Sequence, residues 1–217
     1  MAGDRLVDRA IVLEGFPVAA TAPRAALRMG PDRRLYVALD DGGTPERALD
    51  LGTWTGKVLR VNADGTTPDD QPGGTPVLLA GLSRPAGLAW TDDPRILWVA
   101  DTAADGSPPI HQVQNGVSVL SGDHRRVSLP PEASVTALAS GDTVVPPLPV
   151  QALLMGSEPG RRGLLRVQVA EGGQAHGPVW AAIGDAADAI RALAVRPNGV
   201  VYACSAQALL RLDVQGR

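Results

Sequence analysis

Apolar stretches of four to seven residues recur between Gly, Pro and Asp punctuation, and few have the length or the i, i+3, i+4 spacing of a helix. The pattern predicts strands, falling into four groups. The first group is 10–14, 25–29, 35–39 and 57–61, with Pro31-Asp32-Arg33 as its central turn. The second is 77–80, 87–90, 96–100 and 110–113, with Asp92-Asp93-Pro94 in the equivalent place. The third is 126–129, 135–139, 152–155 and 164–169, around a proline-rich connection. The fourth is 179–183, 190–195, 200–204 and 209–214, around Arg196-Pro197-Asn198-Gly199.

Two local signatures repeat across the groups. A tight Pro/Asp/Asn turn leads into an apolar strand at Gly30-Pro31-Asp32 to Tyr36 and again at Pro197-Asn198-Gly199 to Tyr202. A Leu-Arg strand appears as Val58-Leu59-Arg60-Val61, Leu164-Leu165-Arg166-Val167 and Leu209-Leu210-Arg211-Leu212. Self-similar strand groups at roughly 40–60 residue spacing mark radially arranged sheets, because each blade buries its faces only against its neighbours. The expected fold is therefore all-β: a β-propeller of about four blades of four antiparallel strands, as a single domain over residues 1–217.

The chain opens on what should be an outer strand and closes on three inner ones, a layout that lets the termini close a small ring. The alternative is a partial arc, which would leave blade faces open to a second copy of the chain.

Composition narrows the function. A net charge of -3 with scattered Lys and Arg offers no basic face, so nucleic acid is not an expected partner. No apolar run approaches the ~20 residues of a membrane helix, and the segment from Met1 to Arg5 is not followed by the apolar region of a secretory signal. Neither membrane binding nor export is expected from these residues, and the compartment stays open. Cys204 stands alone, which excludes an intrachain disulfide and a thiolate zinc cluster. His111, His124 and His176 lie in separate, loop-like contexts without metal-ligand spacing and read as surface histidines; no metal site is expected from them. Trp54, Trp90, Trp98 and Trp180 read as inter-blade packing.

The stretch Leu27-Arg-Met-Gly-Pro-Asp-Arg-Arg-Leu-Tyr-Val-Ala-Leu-Asp-Asp-Gly-Gly43, then Asp50-Leu51 and Gly56-Lys-Val-Leu-Arg-Val-Asn-Ala-Asp-Gly-Thr-Thr-Pro-Asp-Asp-Gln-Pro72, resembles the glucose/sorbosone dehydrogenase family. Gly81-Leu-Ser-Arg-Pro-Ala-Gly-Leu-Ala-Trp90, Leu97-Trp98-Val99 and Ile190-Arg191-Ala-Leu-Ala-Val-Arg-Pro-Asn-Gly199 with Leu210-Arg211 continue the similarity, which is weakest over 106–149. The resemblance implies descent from six-bladed propellers that bind pyrroloquinoline quinone (PQQ) and calcium and oxidise the C1 hydroxyl of a sugar. This chain would be a shortened copy, or an arc of the larger ring. The family is usually exported.

The same resemblance implies a depleted site. The family's general-base histidine falls eight positions before Gly30, where this chain has Ala22. The family's Gly-His-Arg-Asn-Pro-Gln-Gly stretch reads Gly81-Leu82-Ser83-Arg84-Pro85-Ala86-Gly87, with Arg84 one place displaced. The calcium region reads Asp101-Thr102-Ala103 and Pro108-Pro109, so most of its hard-oxygen ligands are gone.

What the resemblance carries over is Asp41, at the place of the aspartate that orients the histidine, and Arg191, at the place of a cofactor-contacting arginine; Arg161 would be a further basic contact. From the residues alone, Asp41 beside Gly42-Gly43 reads as a turn former. Arg191 reads either as a strand-end cap pairing with Asp188 or as a contact for an anionic ligand. The expectation is little or no sugar oxidation, with a sugar or small anion as possible ligand. The alternative is a propeller that only binds a small molecule or a protein.

Overall fold

The computed structural model describes residues 10–16, 20, 23–90, 93–114, 117, 120, 124–129, 135–145, 148–155, 164–169, 175–181, 190–196 and 200–212. It is built of four antiparallel sheets and, among the described residues, no α-helix. The first sheet runs β1 (Ala25–Met29), β2 (Leu35–Leu39), β3 (Lys57–Val61), β4 (Val77–Ala80). The second runs β5 (Gly87–Trp90), β6 (Ile96–Ala100), β7 (Pro109–Gln114), β8 (Arg125–Ser128). The third holds β9 (Leu138–Val145), β10 (Leu148–Met155), β11 (Leu164–Val169) and β12 (Ala175–Ala181), and the fourth β13 (Ala192–Val195), β14 (Val201–Cys204) and β15 (Leu209–Leu212).

The period-two alternation of these strands sends side chains to both faces of each sheet, and both faces are used. Tyr36, Ala38, Val58, Leu78, Leu88, Leu97 and Val99 pack between the first and second sheets. Trp98, Ala100, Ile110, Leu138 and Val167 pack between the second and third, and Ala139, Leu193, Val201 and Ala203 between the third and fourth. The initial strands β1, β5, β9 and β13 pack on one another in that order and so line the axis, whereas no comparable packing joins β13 back to β1. The propeller is an open arc. At its two ends Leu27 and Met29 of β1 and Leu209 of β15 are exposed.

Two expectations are corrected. The segment 10–14 is no strand: Gly15, at φ 80, breaks the extended path, and Leu13 and Phe16 pack against Leu39, Leu59 and Val77 of the first sheet. The segment expected to complete the last blade thus covers the first, so the ring does not close by that route. Second, the blades begin one strand later than the sequence grouping has it. β4 pairs with β3, Lys57 opposite Ala80, because the loop between them is shaped for a return: Pro72 to Gly74 form one 3-10 turn with Gly73 at φ 76.

The covering segment leans on Gly65, whose φ is +86 and where an added Cβ would stand 2.1 Å from the Val12 carbonyl oxygen. Gly65→Ala is expected to lift residues 10–16 off the sheet, seen as faster limited proteolysis there, on top of a backbone penalty of about 1–2 kcal/mol. Gly43→Ala, at φ +77 with nothing within 4 Å, should show the penalty without the proteolysis.

β3 is buried along its whole length, so its two cations need internal partners. Lys57 Nζ donates to the carbonyls of Arg47, Ala48 and Thr55 at 3.1, 2.7 and 2.7 Å. Burial still pulls its pKa down, against the attraction of Asp50. Arg60 donates through both terminal nitrogens to Asp70, at 3.0 and 2.9 Å, and through Nε to Asp32 at 2.9 Å and to the Tyr36 hydroxyl at 3.2 Å. Tyr36 lies directly across the ladder from Arg60, and in the fourth sheet Tyr202 lies across from Arg211. The repeated turn-to-Tyr and Leu-Arg signatures are therefore one cross-strand pair seen twice.

Candidate functional site

The chain enters each initial strand at the same end of the arc, and there Asp41 lies just beyond β2, whose end pairs with the start of β1, and Arg191 just before β13. Asp40 directly follows β2. Its carboxylate accepts the Arg24 N–H at 2.6 Å, just before β1, and the Gly42 N–H at 3.0 Å. Asp101 directly follows β6 and does the same for the second sheet, accepting the Ser83 and Arg84 N–H groups at 3.0 and 2.7 Å before β5. Both aspartates are buried, which suits carboxylates that accept two backbone donors each. The signal was present in the sequence as Val37-Ala38-Leu39-Asp40 and Trp98-Val99-Ala100-Asp101, and the sequence reading missed it.

Asp41 is buried, and its Oδ1 accepts the Gly43 N–H at 2.8 Å. Its own N–H donates to the Ser83 carbonyl at 3.0 Å, tying the β2–β3 loop to the entry of β5. The bond from Gly43 N–H to Asp41 Oδ1 closes an aspartate turn, as the residues alone suggested. Arg191 is exposed at the start of β13, its N–H donating to the Cys204 carbonyl at 2.7 Å. Arg84 is exposed at the entry to β5. The structure places Asp41 beside the first sheet and Arg191 beside the last, and neither makes a described hydrogen bond or ion pair with the other. Ala22, Arg161 and Asp188 lie outside the described residues, and His176 and Trp180 are described only as backbone of β12.

The surface reading of His111 is wrong. Its place in β7 opposite Val99 turns it onto the face that packs against the first sheet, and it is 2% exposed. His111 Nδ1 contacts His124 Nε2, and His111 Nε2 lies 3.6 Å from Asp101 Oδ2. Burial first, then His111 and Arg126, push the His124 pKa down from 6.5 to about 4. Trp98 and Trp90 do pack between sheets, and Trp90 stands edge-on to Tyr36 with ring centres 4.8 Å apart.

Among the described residues, the donor set does not suit a calcium-assisted quinone. Calcium takes six to eight oxygen ligands, yet Asp40, Asp41 and Asp101 all spend oxygens on backbone amides. Among the described residues, no group of three His, Cys, Asp or Glu side chains is placed to hold a metal ion. Arg84 and Arg191 do suit carboxylate or phosphate oxygens.

Comparison with known proteins agrees with this architecture. Quinoprotein glucose dehydrogenase B of Acinetobacter calcoaceticus is 29% identical over 117 residues, 43% of this chain and 24% of that protein. An uncharacterized protein of Synechocystis sp. is 27% identical over 135 residues, 52% of this chain and 32% of that protein. The chain thus spans a quarter to a third of these relatives. Among solved structures, the PQQ-bound aldose sugar dehydrogenase of Streptomyces coelicolor superposes with a TM-score of 0.71 at 22% identity, over 88% of this chain and 58% of that one. The apo-form soluble aldose sugar dehydrogenase of Escherichia coli gives 0.68 at 18% identity, over 88% and 63%. Residues 4–118, more than half of the chain, match the family described as Glucose / Sorbosone dehydrogenase, and the chain belongs to that family.

Proposed function

We propose that this propeller has lost the sugar oxidation of its relatives and uses the entry end of its arc to bind a small anionic ligand through Arg84 and Arg191. One observation carries the reading. The carboxylates at that end, Asp40, Asp41 and Asp101, are each engaged by backbone N–H groups, while the two arginines are exposed. PQQ, when bound, supplies a hydride acceptor and is itself an anion. The loss of the family histidine at Ala22 supports the absence of turnover, since removing a positioned general base costs about 10²–10⁴ in rate.

The test is reconstitution of the whole chain with PQQ and calcium, followed by dye reduction with a panel of aldoses. No turnover above the protein-free rate is expected. PQQ should still bind, with an affinity indifferent to calcium and about tenfold weaker in Arg191→Ala, in line with one charge-assisted hydrogen bond. Turnover at the rates of the family would overturn the loss of activity, and PQQ binding unchanged by Arg191→Ala would overturn the anion site.

A further inference from the structure

Asp101 and His111 are buried, and half-buried His124 extends them into a chain of polar groups. Asp101 Oδ2 accepts the Ser83 N–H at 3.0 Å and at the same time stands 3.6 Å from His111 Nε2. Oδ1 accepts the Arg84 N–H at 2.7 Å, and the Ser83 carbonyl accepts the Asp41 N–H. One carboxylate therefore fastens the segment that sets Arg84 at the entry end, with an imidazole beside the same oxygen.

The neighbouring groups orient the pair and hold His124 neutral. Asp101, at the end of β6, favours the His111 tautomer with its proton on Nε2, which makes Nδ1 the acceptor and His124 Nε2 the donor. Arg126, opposite His111 on β8, opposes any added positive charge. Arg84 and Asp41 reach the group through their backbone bonds to Asp101 and Ser83. The first sheet meets this face with apolar side chains, among them Ala38, Val58 and Leu79. His124 Nδ1 is buried without a hydrogen-bond partner, so a proton added there has nothing to donate to. His124 as a residue is only half-buried, which leaves it a way out to water.

We propose that His111 and His124 form an acid-released latch on the entry end: protonated His124 turns out to solvent, and the freed His111 is left to move its Nε2–H onto Asp101 Oδ2, in competition with the Ser83 amide. The proton comes from solvent, and the bond lost is His124 Nε2–H to His111 Nδ1. Closing the 3.6 Å gap puts a second donor on the oxygen that the Ser83 amide already uses, so the Ser83–Arg84 segment loosens. The device rests on the second sheet alone and stands or falls apart from the anion site. Its sign follows from the His124 pKa. The folded state favours neutral His124, so the stabilisation is whole above pH 6.5 and is lost as pH falls towards 4.

Imidazole and amide NMR of the full chain from pH 8 to 4 tests it. His124 should titrate near 4 and not near 6.5. The Ser83 and Arg84 amides should shift with the same midpoint, and their exchange, corrected for intrinsic rate, should rise at least about fivefold. His124→Asn, checked for fold by circular dichroism, should remove that step. An ordinary His124 midpoint, amides that ignore the titration, or a step that persists in His124→Asn would each overturn the latch. If the variant does not fold, the co-titration in the unaltered chain decides.

Discussion

Gly87→Ala is expected to destabilise the fold by about 3 kcal/mol, the upper range for overpacking a core. Gly87 opens β5 where it crosses β9. An added Cβ would meet Leu138 Cβ and the Leu138 backbone nitrogen at 2.8 Å each, and Leu138 Cα at 3.2 Å. Two of those three atoms are backbone, so no rotamer change relieves the contact. The second and third sheets must move apart, opening the cluster around Trp98 and Ile110. Urea denaturation should show the lost stability, and near-ultraviolet circular dichroism should show a weakened signal from Trp98. A change under 1 kcal/mol would mean that the two inner strands approach less closely than described.

Arg60→Met is expected to cost a similar amount, about 3 kcal/mol, at the low end for removing one member of a buried ion pair. Arg60 is 4% exposed, and methionine can fill its volume but takes the donor from Gln71 Oε1 and the countercharge from Asp32. The partners divide unequally. Asp70 is 65% exposed, so its bidentate pair is largely screened and Asp70→Asn should cost under about 1 kcal/mol. Asp32 is 26% exposed and also accepts the Tyr36 hydroxyl at 3.0 Å. Asp32→Asn should therefore cost more than Asp70→Asn, and thermal unfolding of the three variants checks the order. Equal effects would show that the exposed pair matters as much as the buried one.

Much of the arc was legible because its strands are short apolar runs set off by Gly, Pro and Asp. The bounds of β1 through β6 and of β11 are those that the pattern predicts. Residues 10–14 show the limit of that signal. Val12 and Leu13 look locally like a strand, but what they do depends on an exposed apolar face of the first sheet that is built from residues 37 to 77. Blade grouping was misread for a related reason: a run of strands has the same local pattern wherever one sheet is taken to end.

The site was less legible, because its decisive bonds join side chains to distant backbone. The sequence shows an aspartate ending β6, but not that its carboxylate reaches the Ser83 and Arg84 amides, 18 and 17 residues earlier. The inward turn of His111 could be read from its period-two spacing with Val113 once the strand is placed. Its contact with His124, 13 residues on, could not.

The aspartates after β2 and β6 have one more consequence. Each reaches back only to the amides that precede its own sheet, Asp40 to Arg24 and Asp101 to Ser83 and Arg84. The fastener travels with the unit. A gene duplication spanning such a unit would add a sheet whose entry amides arrive already fastened, leaving the bond between units, Asp41 N–H to the Ser83 carbonyl, to be remade at each junction.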